Sequence, residues 1–322
     1  MKRISDYAVM VEEALRGLEL AQMKPESLYA PVAYAMEAGG KRLRPALTLM
    51  TAEAFGVDNS AAMPAALALE LFHNFTLLHD DVMDNSDVRR NRPTVVKRFG
   101  ADAAILSGDA MLGLAEEQLL ALDDKCYRRV AEAFVRMARD VYAGQALDME
   151  FESRNDVTVE EYVEMIRLKT GALLGACVEI GGLLAGVDAK VASKLREYGE
   201  NLGISFQIED DWLDTFGDAT TFGKPIGGDI NNNKKTFLLI SGLTAGGEES
   251  KALEVAMQLP AGDTKVRAVT RIYEKMQLDE KVHKEALRYS AKAMKAAKAT
   301  GLSDAKLEGF KYVVDRLSGR KK

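Results

Sequence analysis

The sequence predicts an all-α protein. Apolar residues recur at helical spacing nearly throughout, and no stretch shows sustained two-residue alternation with β-branched residues. Helix-start signals also stand where the apolar runs begin. Residues 61–83 form one such run, with Ser60 as the expected N-cap and Pro64 near the first turn. Thr158 and Glu161 have the spacing of a capping box ahead of residues 161–174. Asp188 can cap a segment that continues to about Phe216. Pro45 is expected at the first position of a further helix, after Gly39-Gly40-Lys41-Arg42-Leu43-Arg44. Two polar stretches interrupt the helices, 85–94 and 217–236. The second is long for a compact helical protein, and its Gly, Asn and Lys content suits a lid over an anion.

The chain has 322 residues, 47% of them hydrophobic, enough for a sizeable core. With no repeat, low-complexity tract or linker, a single domain over residues 1–322 is expected. The formal net charge of −6 gives no global attraction to nucleic acid or to an anionic membrane. Cys126 and Cys177 are isolated, which suggests a reducing compartment rather than a disulfide framework. The N-terminal apolar stretch is short and interrupted by acids, unlike a signal peptide. Residues 171–187 make the most membrane-like run, but Glu179 and its Gly and Ala content suit a closely packed interior helix better. A cytoplasmic protein without stable membrane insertion is expected.

Chemistry concentrates in two acidic clusters. Asp80, Asp81 and Asp84 form DDxxD at the end of one predicted helix, and Asp210, Asp211 and Asp214 repeat it at the end of another. Residues four apart share a helix face, so Asp80 and Asp84 stand together with Asp81 to the side. Helix C-termini disfavour negative charge by about 0.3–1 kcal/mol, and like charges one turn apart add to that. A chain that accepts this twice is expected to hold cations there. Oxygen ligands without His or Cys favour Mg²⁺, or Mn²⁺, over Zn²⁺. Because Mg²⁺ uses one or two carboxylates plus substrate phosphates, two opposed clusters would grip a polyphosphate between them.

Positive groups are placed to help. The Gly pair and cations of residues 39–44 precede a helix start, which makes an anion site. Arg89 and Arg90 follow the first acidic cluster, and Lys224, Lys234 and Lys235 follow the second. Lys169 sits among Leu168, Leu173 and Leu174, where an unpaired charge would be costly. Arg42 and Lys235 are expected to be ordinary surface cations. No P-loop, dinucleotide fingerprint or zinc spacing occurs, so phosphate binding is supported and nucleotide phosphoryl transfer is not.

With these residues in view, the chain resembles the trans-prenyl diphosphate synthases, the farnesyl and geranylgeranyl diphosphate synthase group. The matching segments are residues 39–45, 77–94, 105–112, 144–150, 169–174, 206–218 and 223–236. The resemblance implies the isoprenoid synthase type I fold, a single large antiparallel helix bundle around a central cavity, and a homodimer. It implies metal binding at Asp80, Asp84, Asp210, Asp211 and Asp214, with Asp81 assisting. Lys41, Arg44, His73 and Arg90 match positions that hold the diphosphate of isopentenyl diphosphate. Arg89, Lys169, Thr170, Gln207, Lys224 and Lys234 match those that hold the allylic diphosphate, with Gln145 and Asp148 supporting. Lys169 and Lys224 count with the six aspartates as the catalytic set. Where the family commonly has Arg-Arg-Gly, this chain has Arg89-Arg90-Asn91. Asn tolerates a left-handed backbone, so the turn is expected to survive.

The implied reaction is condensation of isopentenyl diphosphate with dimethylallyl, geranyl or farnesyl diphosphate to a C20 or C15 product. Positive charge stabilises the leaving diphosphate, and an apolar cavity protects the allylic cation from water. The alkene attacks, and the released diphosphate takes the proton. No protein base is evident; His79 qualifies by position alone. Phe75 lies five residues before Asp80, about 7.5 Å deeper along a helix, where its ring could stop the growing chain above Phe72. Thr76 beside it is small. In the family an aromatic at Phe75 resembles short-chain synthases, whereas helix spacing alone also fits plain core. A class I terpene cyclase is the nearest alternative, but residues 155–162 put Val159 where its second metal motif needs a hydroxyl. A non-catalytic regulatory subunit is the other, and it would not need both acidic triads.

Overall fold

The structure, a computed structural model, describes residues 2–217 and 226–318. Among the described residues the helices are α1 (Ile4–Arg16), α2 (Glu26–Glu37), α3 (Leu43–Ala54), α4 (Asn59–Met83), α5 (Val95–Phe99) and α6 (Ala101–Leu120). They continue with α7 (Asp124–Ser153), α8 (Val159–Ile166), α9 (Ala172–Leu184) and α10 (Ala189–Phe216). After these come α11 (Gly228–Asn231), α12 (Phe237–Thr244), α13 (Gly247–Met257), α14 (Asp263–Lys275), α15 (Leu278–Lys298) and α16 (Asp304–Ser318). The strands described are β1 (Val88–Arg89) and β2 (Arg92–Pro93), an antiparallel pair with Val88 opposite Pro93. The predicted all-α class therefore holds.

Most of the expected caps form. Thr158 Oγ1 accepts from the Glu161 amide while Glu161 Oε2 accepts from the Thr158 amide, the full capping box. Asp188 Oδ1 accepts from the Val191 amide at 2.8 Å and starts α10. Two boundaries differ from expectation. The N-cap of α4 is Asp58 rather than Ser60, because Asp58 Oδ1 accepts from both the Ser60 amide and its hydroxyl. Pro45 is the third residue of α3, not the first, since Arg42 takes the cap position. Any of the first four helical positions can spare an amide, so proline is tolerated there too.

The chain divides into two compact units. The first comprises Met1–Arg136, Ala176–Arg196 and Leu302–Gly309. Its core joins Tyr7 and Val11 of α1, Leu47 and Leu49 of α3, Leu69, Leu71 and Phe72 of α4, and Met111 of α6, all fully buried. Phe72 meets Phe134 edge-on, with ring centroids 5.4 Å apart. The one acid of the run 171–187, Glu179, is buried and accepts from Arg136 at 2.6 Å. Its neighbours Cys177, Val178 and Ile180 are fully buried, as the packed-helix reading expects.

The second unit comprises Met137–Gly175, Glu197–Gly301 and Phe310–Lys322. Its core gathers Phe151, Tyr162, Ile166, Ile204, Ile208, Ile230, Phe237, Leu253, Val269, Tyr273 and Val282. Gly203 of α10 lies against the backbone of Gly171, where an added Cβ would collide. That close crossing fixes the register between α10 and the segment that carries Lys169 and Thr170.

Candidate active site

In the first unit, α4 delivers the first acidic cluster as it ends. The Asp84 amide bonds back to the Asp80 carbonyl at 2.8 Å, which stacks the two residues one turn apart. Asp80 is half-buried and Asp84 exposed, whereas Asp81 points inward and is only 3% exposed. Burial raises the Asp81 carboxyl above its usual range, although Arg89 Nε donates to Asp81 Oδ1 at 2.8 Å. Arg89 therefore holds Asp81 in this structure.

The hairpin that follows turns on Arg90 and Asn91, with φ of 52° and 59°. Positive φ at both central residues is the two-residue turn whose twist suits a hairpin. Asn91 thus adopts the left-handed conformation expected of it. The turn sends the Arg90 guanidinium back to donate to the Gly39 carbonyl, and it lies against Gly40.

Arg44, from the first turn of α3, reaches His73 of α4, with Nη1 and Nε2 3.1 Å apart. Burial and the surrounding arginines, Arg44 first and then Arg90, Arg89 and Arg42, hold the His73 imidazole well below its ordinary range. The structure thus brings Arg44, His73 and Arg90 together, with Lys41 exposed nearby in sequence. With the imidazole kept neutral, the surrounding arginines supply the positive potential that suits an anion.

Arg42 overturns its expectation as a surface cation. It is 3% exposed, and its guanidinium donates to Glu12, to Glu70 and to the Met36 carbonyl. Sequence gave no hint, because its partners lie on three other helices.

Phe75 is 6% exposed, with its ring centroid 5.5 Å from Phe72 and 4.7 Å from His79. Thr76 is half-buried, and its hydroxyl donates to the His73 carbonyl. His79 bonds the Ile105 carbonyl at 3.1 Å and packs against Gly108, where an added Cβ would collide with its ring. That gives His79 a structural task between α4 and α6.

In the second unit, α10 carries the second acidic cluster, and here the surroundings are denser. Asp211 and Asp214 are buried and Asp210 half-buried. Asp211 accepts from Tyr162 Oη at 2.5 Å, from Gln207 Nε2 at 3.2 Å and from the Phe237 amide at 3.3 Å. Gln207 Oε1 in turn accepts from the Thr170 hydroxyl at 3.2 Å. Even so, burial and the like charge of Asp229 push the Asp211 carboxyl well above its usual range. Asp214 Oδ2 accepts from the Asp229 amide at 2.9 Å.

Lys169 lies in a single π-helical turn, Arg167–Gly171, a distortion frequent at functional sites. It is not left unpaired among its leucines: Nζ donates to Asp148 Oδ2 at 2.5 Å. Gly144 of α7 lets the two segments meet, since an added Cβ there would strike the Lys169 backbone. Burial first, then Asp211, Asp229 and Asp148, raise the Tyr162 phenol well above its usual range. The Lys169–Asp148 pair and the second acidic cluster are therefore electrostatic neighbours.

The stretch read as a long lid contains a short helix among its described residues. Residues 228–231 form α11, and Lys234 follows with its amide bonded to the Asp229 carbonyl. Lys224 lies outside the described residues. Tyr162 and Asp229 escaped the sequence reading. Tyr162 looks like any core residue of an amphipathic helix, and Asp229 like one acid in a polar stretch.

Residues 25–276 match the family described as polyprenyl synthetase. The chain belongs to the polyprenyl synthetase family. A short chain isoprenyl diphosphate synthase of Methanothermobacter thermautotrophicus is 35% identical over 317 residues, covering 98% of this chain and 97% of that protein. A geranylgeranyl diphosphate synthase of Methanosarcina mazei is 42% identical over 245 residues, 76% of this chain and 75% of that one. A crystal structure of a geranylgeranyl pyrophosphate synthase superposes with a TM-score of 0.96 at 38% identity, covering 100% of both chains. This polyprenyl synthetase is thus a prenyltransferase with the isoprenoid synthase fold.

The acidic residues fit a hard divalent cation. Their donors are all oxygen, and the like charge of Asp229 raises the cost of ionising Asp211, which a cation would relieve. Among the described residues, no three His, Cys, Asp or Glu side chains converge on one metal position. The fragment that a cyclase would use for metal is instead the start of α8: Glu161 caps it, while Val159 and Val163 pack on the core.

Proposed function

We propose that this enzyme condenses isopentenyl diphosphate with an allylic diphosphate, from the dimethylallyl to the farnesyl size, and releases a C20 or C15 prenyl diphosphate. The observation that carries the assignment is the polar chain Thr170–Gln207–Asp211–Tyr162 beside the Lys169–Asp148 pair, at the end of a helix whose acids are buried together. Such an arrangement, in a polyprenyl synthetase, suits a diphosphate ester presented with cations.

In this reading Asp80, Asp84, Asp210, Asp211 and Asp214 hold Mg²⁺, or Mn²⁺, with Asp81 supporting through Arg89. Bound metal supplies neutralisation of the charge that grows on the leaving diphosphate. Arg89, Lys169, Thr170, Gln207, Lys224 and Lys234 orient the allylic diphosphate and stabilise it as it leaves. Lys41, Arg44, His73 and Arg90 hold the diphosphate of isopentenyl diphosphate, so that its alkene attacks the allylic cation. Proton loss goes to the released diphosphate, and Phe75, with Thr76, limits chain growth. We also propose that residues 1–322 act as one functional domain, in the cytoplasm and without stable membrane insertion. A homodimer is supported by apolar Ile105 and Leu106 of α6 and Val135 of α7, which are 42%, 59% and 58% exposed. Sedimentation equilibrium tests it.

The deciding experiment incubates the purified protein and Mg²⁺ with radiolabelled isopentenyl diphosphate and each allylic primer in turn. Condensed product of C15 or C20 length is expected. Cyclic hydrocarbon from a single diphosphate, or no turnover at all, would overturn the assignment.

A further inference from the structure

Lys265, in the first turn of α14, is a buried cation that the reaction does not use. It is 2% exposed, and Nζ donates to Asn233 Oδ1 at 2.6 Å. Burial lowers its ordinary affinity for a proton, and among the described residues no carboxylate contributes. A lysine set there at such cost, facing a neutral amide, needs a reason beyond an ion pair.

The reason lies in what Asn233 belongs to. The tract Asn231-Asn232-Asn233 closes α11, and Asn233 turns the chain with φ of 54°. Asn231 also reaches α14: its Oδ1 accepts from the Gly262 amide at 2.8 Å, at the helix cap. On the other side of α11, Gly227 lies against Val266, where an added Cβ would collide. The segment is thus fastened to α14 at three points. Asp229 stands between those points, and Lys234 directly follows the last of them. The Asp229 amide bonds Asp214 Oδ2 at 2.9 Å, and the Gly227 amide bonds the Asp214 carbonyl at 2.6 Å. Lys234 comes directly after the left-handed turn.

We propose that Lys265 and Asn233 form a positioning latch that holds residues 227–234 on α14, and so sets Asp229 against Asp214 and aims Lys234 at the allylic diphosphate. This rests on the reading of Asp214 as a metal ligand and Lys234 as a diphosphate ligand. Lys265 touches neither substrate nor metal and acts only through the segment it fastens. The asparagines are chosen for the same reason: a side-chain acceptor at 231 and 233 reaches α14, while asparagine at 233 also tolerates the left-handed backbone.

The test compares Lys265→Met, Asn233→Gly and the double variant, with Asp214→Asn as the control for the underlying reading. Methionine keeps the packing without the amine, and glycine keeps the turn without the acceptor. Removing outer-shell support should raise the allylic KM and the Mg²⁺ concentration for half-activation by about tenfold, with the isopentenyl diphosphate KM within about twofold. The double variant should lose no more than either single one, because both break one bond. Allylic KM and Mg²⁺ response at wild-type values in both single variants would overturn the latch, as would a uniform fall in kcat with all KM values unchanged. If Lys265→Met fails to fold, Asn233→Gly decides by the same readout. Should Asp214→Asn leave the Mg²⁺ response unchanged, the metal reading fails; should Asp214→Asn impair it while both latch variants behave as wild type, the latch alone fails.

Discussion

Arg42 Nη1 donates to Glu70 Oε1 at 2.6 Å, and both side chains are shut away from solvent, at 1% and 3% exposure. Arg42 holds this bond from a left-handed backbone, φ 44°, at the cap of α3. The pair ties the start of α3, with Lys41 just before it and Arg44 in its first turn, to the helix carrying His73. Arg42→Met should destabilise the protein by about 3–5 kcal/mol, because it leaves the buried Glu70 carboxylate without its paired guanidinium, with, among the described residues, only the Asn74 amide still bonded to it. Adding Glu70→Leu should recover most of the loss. Urea unfolding of the two variants checks both statements.

His73 should make stability depend on pH. Its folded-state affinity for a proton is below the ordinary value, so the unfolded chain binds the proton first as pH falls. The stabilisation is complete above the ordinary histidine range, near pH 6.5, and is lost progressively below it, by at most about 1.4 kcal/mol per pH unit. His73→Gln should flatten that part of the curve, measured by denaturant midpoints between about pH 5 and 7.5.

Tyr162→Phe removes the shortest hydrogen bond described for Asp211 without changing the packing volume much. Loss of this support should lower activity by about 10–100-fold and shift the Mg²⁺ response. Circular dichroism should stay near wild type. Equal activity in both proteins would deny Tyr162 any part in the site.

Phe75→Ala should lengthen the products, since the ring fills space between Phe72 and His79 on α4. Stability should fall by about 3–5 kcal/mol as a large buried side chain is removed. Chromatography of the product mixture decides: an unchanged length distribution would remove Phe75 from the stopping position.

The local devices were legible because their cause is local. Helical spacing, the Thr158–Glu161 box, the Asp188 cap and the left-handed Asn91 depend on neighbours a few residues away, so the sequence alone determined them. It also determined the chemistry on offer, since two DDxxD sets and their cations need no folding to be recognised. Only tertiary structure decided which charges are spent on holding the protein together. Arg42 stands in a polar, cationic stretch that reads as surface, yet Glu12, Glu70 and the Met36 carbonyl enclose it. Arg89 turned inward to Asp81, while Lys169 found Asp148. Tyr162 and Lys265 show no motif, and their partners lie 49 and 32 residues away. Burial and hydrogen bonding across such separations depend on how helices cross, as at Gly171 and Gly203, and no local pattern of residues encodes that.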